Sequence, residues 1–197
     1  MTPIDLISEL AVRVKDITKD YRLMESDNPT KFRAPRVFLQ HLPEKENEGD
    51  EDPADLPFIL VALGGGIVNA PDQPPPIGTC SVAIWCAAYD EGLPLDGEGN
   101  PVWCKRNTEG VLVGKDGEPV EGVRDQQGWM AVSDMVWRIV TELVKDPIVA
   151  TFRLEYPVYW EVPVEWDPVL HWHGIINTTW TVPVPERQLD LENDSFS

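Results

Sequence analysis

His171-Trp172-His173, with Cys80, Cys86 and Cys104, are the residues of this 197-residue chain best suited to hold a transition metal. Structural zinc sites bring their ligands in close pairs, Cys-x2-Cys or His-x3-His. No such pair occurs: Cys80 and Cys86 are six apart, Cys104 stands in a glycine-rich stretch, and the histidines flank a tryptophan. On a strand His171 and His173 share one face, which makes them a surface pair near a turn or a partner contact. Asp96, Glu98 and Asn100 have the spacing that opens a calcium loop, yet the sixth position is Pro101 instead of Gly and the twelfth is Asn107 instead of Glu. Gly64-Gly65-Gly66 follows an apolar run, as a phosphate-binding loop would. No Lys-Ser or Lys-Thr comes after it and the chain enters Pro74-Pro75-Pro76, so a flexible strand exit is expected. No Gly-x-Ser-x-Gly elbow or local Cys-His motif marks a nucleophile. The expectation is a non-enzyme with no catalytic residue, no metal and no cofactor.

These residues depend on a small set of elements. Thr2-Pro3-Ile4-Asp5 reads as an N-cap, a first-turn proline and an acid at the third position. Ile4, Ile7, Leu10, Val14 and Ile17 then fall at helical spacing, which predicts a helix from about Pro3 to Tyr21. Arg36 to Leu42 reads as a short strand. Phe58 to Leu63 is continuously apolar, and Gly78 to Tyr89 is apolar on both alternating faces, as mid-sheet strands are. Residues 91–123 hold two tight-turn repeats, Asp96-Gly97-Glu98-Gly99 and Asp116-Gly117-Glu118-Pro119, and read as an inserted hairpin or arm.

Asp125 to Lys145 predicts a second helix with an unusually wide apolar face. One stripe is Trp129, Val132, Val136, Ile139, Val140 and Leu143; beside it run Met130, Trp137 and Val144, seven apart. From Phe152 to Val164 apolar and polar residues alternate, and after a turn near Asp167-Pro168 the period resumes from Trp172 to Val184. Two strands of about 13 residues exceed the common 3 to 10 and would outrun a small sheet. Apolar and aromatic residues on such a hairpin need a cover, which a second subunit supplies; the alternative is a bent edge within a monomer.

Length suits one domain, and 42% hydrophobic residues with 8 Trp supply a core. The longest apolar runs fall far short of the roughly 20 residues that span a bilayer, so no membrane role is expected. With 16 basic and 34 acidic residues the net charge is -18, which argues against a protein that grips nucleic acid. The charge is uneven. Residues 44–56 are a loop bearing Glu44, Glu46, Glu48, Asp50, Glu51, Asp52 and Asp55, and 186–197 is an acidic tail. The basic residues gather at the front: Arg13, Lys19, Arg22, Arg33 and Arg36 form either a solvated face or a dock for an acidic neighbour. An odd cysteine count and a start that turns charged at once suggest a reducing cytoplasm.

Four stretches together resemble the tail terminator, or tail completion, proteins of long-tailed bacteriophages. They are Leu56-Pro57-Phe58-Ile59-Leu60-Val61; Val82-Ala83-Ile84-Trp85 with Tyr89-Asp90-Glu91; Val132 to Val144 followed by Asp146-Pro147-Ile148; and Gly174-Ile175-Ile176-Asn177-Thr178-Thr179-Trp180-Thr181-Val182-Pro183. The resemblance covers most of the chain, and the departure is the arm 91–123, which compact members lack. It implies a single α+β domain over 1–197, an antiparallel-rich mixed sheet with two main helices packed on it. It implies a virion protein made in the host cytoplasm and placed at the head-proximal end of the tail, where a ring, expected to be a hexamer, caps the tail tube. That ring ends tube polymerisation and docks the head connector or head completion protein. DNA would pass without specific binding, and the acidic loop or tail would line or approach the channel. Candidate partner contacts are Arg13, Lys19, Arg22, Arg33, Arg36, Met130, Trp137, Val144, Tyr159, His171 and His173. Another head-tail adaptor or minor tail protein remains the alternative, and a small cytosolic ligand-binding or metal-dependent enzyme a remote one.

Overall fold

The computed structural model describes residues 2–25, 31–43, 56–68, 77–90, 92, 96–98, 102, 104–107, 111–120, 128–163 and 171–183. Helix α1 (Pro3–Thr18) begins with a capping box. The Thr2 hydroxyl accepts the Asp5 N–H, and the Asp5 carboxylate accepts the Thr2 N–H at 2.5 Å. The hydrogen bonds from Thr2, led by its backbone N–H, hold the Asp5 carboxyl below its ordinary range. The helix stops three residues short of the expected Tyr21. Thr18 donates its hydroxyl back to the Val14 carbonyl at 2.8 Å, and the chain turns as the Tyr21 N–H meets the Thr18 carbonyl at 3.1 Å.

Strands β1 (Leu23–Met24) and β2 (Phe32–Arg33) form a two-residue antiparallel ladder of their own. Strand β3 (Arg36–Leu39) runs parallel to β4 (Phe58–Val68), and β4 pairs antiparallel with β5 (Ile77–Tyr89). Strand β3 is shorter than the expected Arg36 to Leu42, because Gln40 takes a left-handed φ of 65° and turns its amide onto β4. There its Oε1 accepts the Leu63 N–H at 2.9 Å.

Strand β4 corrects a second expectation: the triple glycine continues the ladder to Val68 instead of leaving it. A side chain at Gly64 would run into Ser81, and one at Gly66 would lie 2.8 Å from the Thr79 carbonyl oxygen. Only glycine lets the strands approach there, and the register shifts between Leu63 and Gly66 as a bulge.

In the arm, β6 (Lys105–Arg106) and β7 (Leu112–Val113) form a short antiparallel hairpin. Helix α2 (Gly128–Lys145) follows, then β8 (Ile148–Val149), β9 (Phe152–Glu161) and β10 (His171–Pro183). The six-stranded sheet has the order β3-β4-β5-β10-β9-β8, mixed but mostly antiparallel, so the fold is α+β. Both helices lie on one face. One cluster joins Leu6, Leu10 and Val14 of α1 and Val132, Met135, Val136, Ile139 and Leu143 of α2 to Ile59, Val61, Val82, Ile84, Cys86, Leu154, Ile176 and Trp180 of the sheet.

The terminal hairpin does not outrun its sheet as expected. Strand β10 pairs with β5 along all 13 of its residues, from His171 opposite Tyr89 to Pro183 opposite Ile77. Of the two hairpin strands, β9 is the one left open among the described residues, because β8 reaches no farther than Phe152 and Arg153. The uninterrupted alternation expected through Val164 also fails. The β9 register shifts opposite Thr178, where three residues around Pro157 span one of β10, and the strand ends at Glu161.

Candidate interaction surface

Glycine decides how closely α2 sits on the sheet. A Cβ at Gly174 would lie 2.9 Å from Val136 Cγ2, 3.0 Å from Val132 Cγ1 and 3.1 Å from Val162 Cγ2, the first closer than real packing permits and the others tighter than usual. At the start of the helix a side chain on Gly128 would overlap the Trp172 ring. The helix is therefore pressed onto β10 along the stripe Val132, Val136, Ile139, Val140 and Leu143, all buried. Trp129, expected in that stripe, is partly exposed instead.

The second stripe faces outward. Met130, Trp137 and Val144 stand exposed along one flank of α2, the flank that overhangs the open part of β9. Trp137 meets Trp160 edge-on, with ring centroids 6.0 Å apart, and the Tyr156 hydroxyl donates to the Val144 carbonyl at 3.4 Å. Trp137 is 57% exposed, Trp160 46% and Tyr156 59%, so at about 200 Å² for a large aromatic side chain they leave roughly 300 Å² of ring surface in water. Tyr159, on the opposite face of β9, is exposed as well.

The face of the sheet away from the helices carries a second apolar row. Phe38 pairs with Leu60, Leu60 with Trp85 and Trp85 with Ile175, so four large side chains cross four strands in register. Phe38 and Phe58 add an edge-to-face contact at 6.3 Å.

The basic candidates divide. Arg13 is turned inward: its guanidinium donates to the Glu142 carbonyl at 2.8 Å and the Ile148 carbonyl at 3.0 Å, and lies 3.3 Å from Asp146. It ties α1 to the end of α2. Arg33 is largely covered, 3.8 Å from Glu25, and donates to the Leu56 carbonyl at 3.2 Å. Lys19, Arg22 and Arg36 face solvent. Lys19 pairs with Asp16 at 2.7 Å, which raises its pKa, and Arg22 donates to the Tyr21 carbonyl at 2.7 Å. Between the helices the Tyr21 hydroxyl donates to Asp134 at 2.6 Å under the Arg138 guanidinium. Burial, then the Asp134 bond, raises the phenol above its ordinary pKa. Neither the aromatic flank nor the Arg13 tie is a sequence motif; heptad spacing exposed the first, and no local signal announces the second.

His171 and His173 open β10, opposite Tyr89 and Ala87, and His173 is half-buried. Cys86 lies opposite Gly174, one residue on, and so on the other face of the sheet from His173. Burial pushes the Cys80 and Cys86 thiols up, away from thiolate reactivity. Among the described residues no three His, Cys, Asp or Glu side chains gather as metal ligands, and no helix is long and apolar enough to cross a membrane. A cavity of about 220 Å³ at the glycine end of the sheet is lined by Pro3, Leu63, the triple glycine and Cys80. The acidic candidates Glu44, Glu46, Glu48, Asp50, Glu51, Asp52 and Asp55, and the tail 186–197, lie outside the described residues. No protein-family model and no curated protein sequence matches the chain.

Proposed function

We propose that this chain is a structural, non-catalytic virion protein that caps a phage tail tube as a ring, ends tube growth and offers the head connector a docking face. The observation that carries the reading is the aromatic flank of α2 beside the open edge of β9. Roughly 300 Å² of clustered ring surface, with exposed Met130 and Val144 beside it, reaches the size of the largest apolar patch on an ordinary monomer, and such a patch is often a functional surface. The α+β sheet with two helices on one face agrees with the architecture implied by the four resembling stretches. The net charge of -18 suits a ring through which DNA must slide without being held. The solvent-facing Lys19, Arg22 and Arg36 are the candidates for a salt-sensitive contact with an acidic neighbour.

The test adds purified protein to polymerising tube protein and reads tube lengths by electron microscopy. Shortened tubes with added density at one end are expected. Unchanged lengths would overturn the reading, and binding to connector protein without any effect on tubes would reassign the chain to the adaptor role.

A further inference from the structure

We infer that the sheet is built to be continued by a second copy of this chain: the open edge of β9, roofed by the outer flank of α2, receives the β3 edge of a neighbour. This deepens the ring reading above by naming the surfaces that join its subunits. Three observations carry it.

The first is topology. In the order β3-β4-β5-β10-β9-β8 the strand β3 has no described strand on its outer side, and β8 covers only the first two residues of β9. One sheet therefore ends in two edges able to pair. Strand β3 runs with β4, and β4, β5, β10 and β9 then alternate in direction, so β9 runs opposite to β3. A neighbour related by rotation about an axis along the strands brings its β3 beside β9 antiparallel, the more stable pairing, and extends the same sheet.

The second is surface chemistry. A strand added to β9 on the helix side would pack its alternate side chains against Tyr156, Trp160 and the Met130, Trp137, Val144 row. The β3 edge brings Leu39, 40% exposed, to meet them, and Phe32 of β2, the strand preceding β3 in the chain, is 57% exposed. The aromatic rings supply more than a third of the about 800 Å² per partner that stable interfaces bury, and the ladder and the aliphatic residues add to it.

The third is charge. Two β9 edges paired antiparallel about Val158 would set Glu155 opposite Glu161 twice, a like-charge arrangement that destabilises. Strand β3 reads Arg-Val-Phe-Leu and holds no acid. Pairing β9 with β3 avoids that repulsion, and a contact between unlike edges is heterologous, the kind that closes into a ring where the rotation permits. Because each copy carries -18, long-range repulsion opposes the encounter, and salt should promote this apolar contact.

The experiment measures the mass of the full chain by sedimentation at several concentrations and salt levels. The wild type, Trp137→Glu and Leu39→Glu are run singly and then as an equimolar mixture of the two variants. The wild type is expected to form a multimer favoured by salt, and each variant to stay monomeric. The mixture should give a dimer of one copy of each and nothing larger, because one sound β9 edge and one sound β3 edge remain. A monomeric wild type, a variant with wild-type mass, or a mixture that stays monomeric would each overturn the inference. Trp160→Lys and Phe32→Lys, both at exposed positions, repeat the design should the first pair fail to fold by circular dichroism. If tubes are capped but the mixture gives no dimer, the interface is wrong and the capping stands; a dimer with no effect on tubes gives the converse.

Discussion

Replacing Gly174 by Ala tests how α2 is held against the sheet, and with it the position of the aromatic flank. The added methyl would lie 2.9, 3.0 and 3.1 Å from methyls of Val136, Val132 and Val162, about half an ångström or more inside ordinary contact. Three carbons crowd it, two of them on a helix fixed by Val132, Val136, Ile139 and Leu143, so no single rotamer change relieves all three. Overpacking of this kind costs about 1–3 kcal/mol. Gly to Ala in a strand also gains about 0.4–1 kcal/mol by restricting the unfolded chain. The net loss should be about 1–2 kcal/mol, a fall in Tm of about 2–8 °C for a chain of this size. Gly174→Val, with two further methyls, should lose more. Urea denaturation followed by tryptophan fluorescence gives the midpoints, with the slope expected to stay unchanged. A midpoint that holds or rises for Gly174→Ala would refute the argument, since only the entropic gain would then operate and α2 could not rest on β10 at this point.

The buried Thr178 hydroxyl donates to the Val82 carbonyl at 2.9 Å and accepts the Trp180 indole N–H at 2.9 Å. Thr178→Val leaves that indole donor unsatisfied in the core and should cost about 1–3 kcal/mol, with Trp180→Phe offsetting part of the loss. Strictly additive effects in a double-mutant cycle by chemical denaturation would contradict this coupling. The raised pKa of Tyr21 predicts alkaline sensitivity. Its contribution is complete below about pH 10, where the unfolded phenol is still protonated, and is lost as pH rises towards the folded value, because the unfolded chain gives up its proton first. Denaturation midpoints of Tyr21→Phe should therefore fall less than those of the wild type above about pH 10. Parallel curves would remove Tyr21 from the account.

The elements were legible where burial follows a strict period. The capping box at Thr2 and Asp5 marked the start of α1, and the two-sided apolar run from Gly78 to Tyr89 placed β5 mid-sheet, between β4 and β10, although only its helix-side face is deeply buried and Trp85 on the other is 41% exposed. The seven-residue spacing of Met130, Trp137 and Val144 revealed a second apolar stripe on α2, and the fold turned it outward. What failed to read through was pairing. Strand length alone suggested that the terminal hairpin projects beyond its sheet, whereas β10 is paired with β5 along its whole length and, of the two hairpin strands, β9 has the open side among the described residues, a fact set by strands far away in the chain. Arg13 looked like part of a basic surface because charge patterns carry no direction. Its partners, the Glu142 and Ile148 carbonyls, lie 129 and 135 residues away and share no motif with it.

The glycines of β4 bear on how this sheet breathes. Side chains normally lock a strand's register, since a slip of one residue turns every apolar group to the wrong face. From Gly64 to Gly66 nothing is turned by such a slip, and the segment is held by its ladder, the Gln40 side chain and the Ser81 hydroxyl on the Gly65 carbonyl at 3.0 Å. Amide protons in this half of β4 should therefore exchange with solvent well before those of Ile59 and Val61 in the same strand, by local opening that leaves the helices in place. One strand thus joins a half buried under the core to a half, Gly64 to Val68, whose residues are all exposed, and the two halves of one ladder should differ in how readily they open.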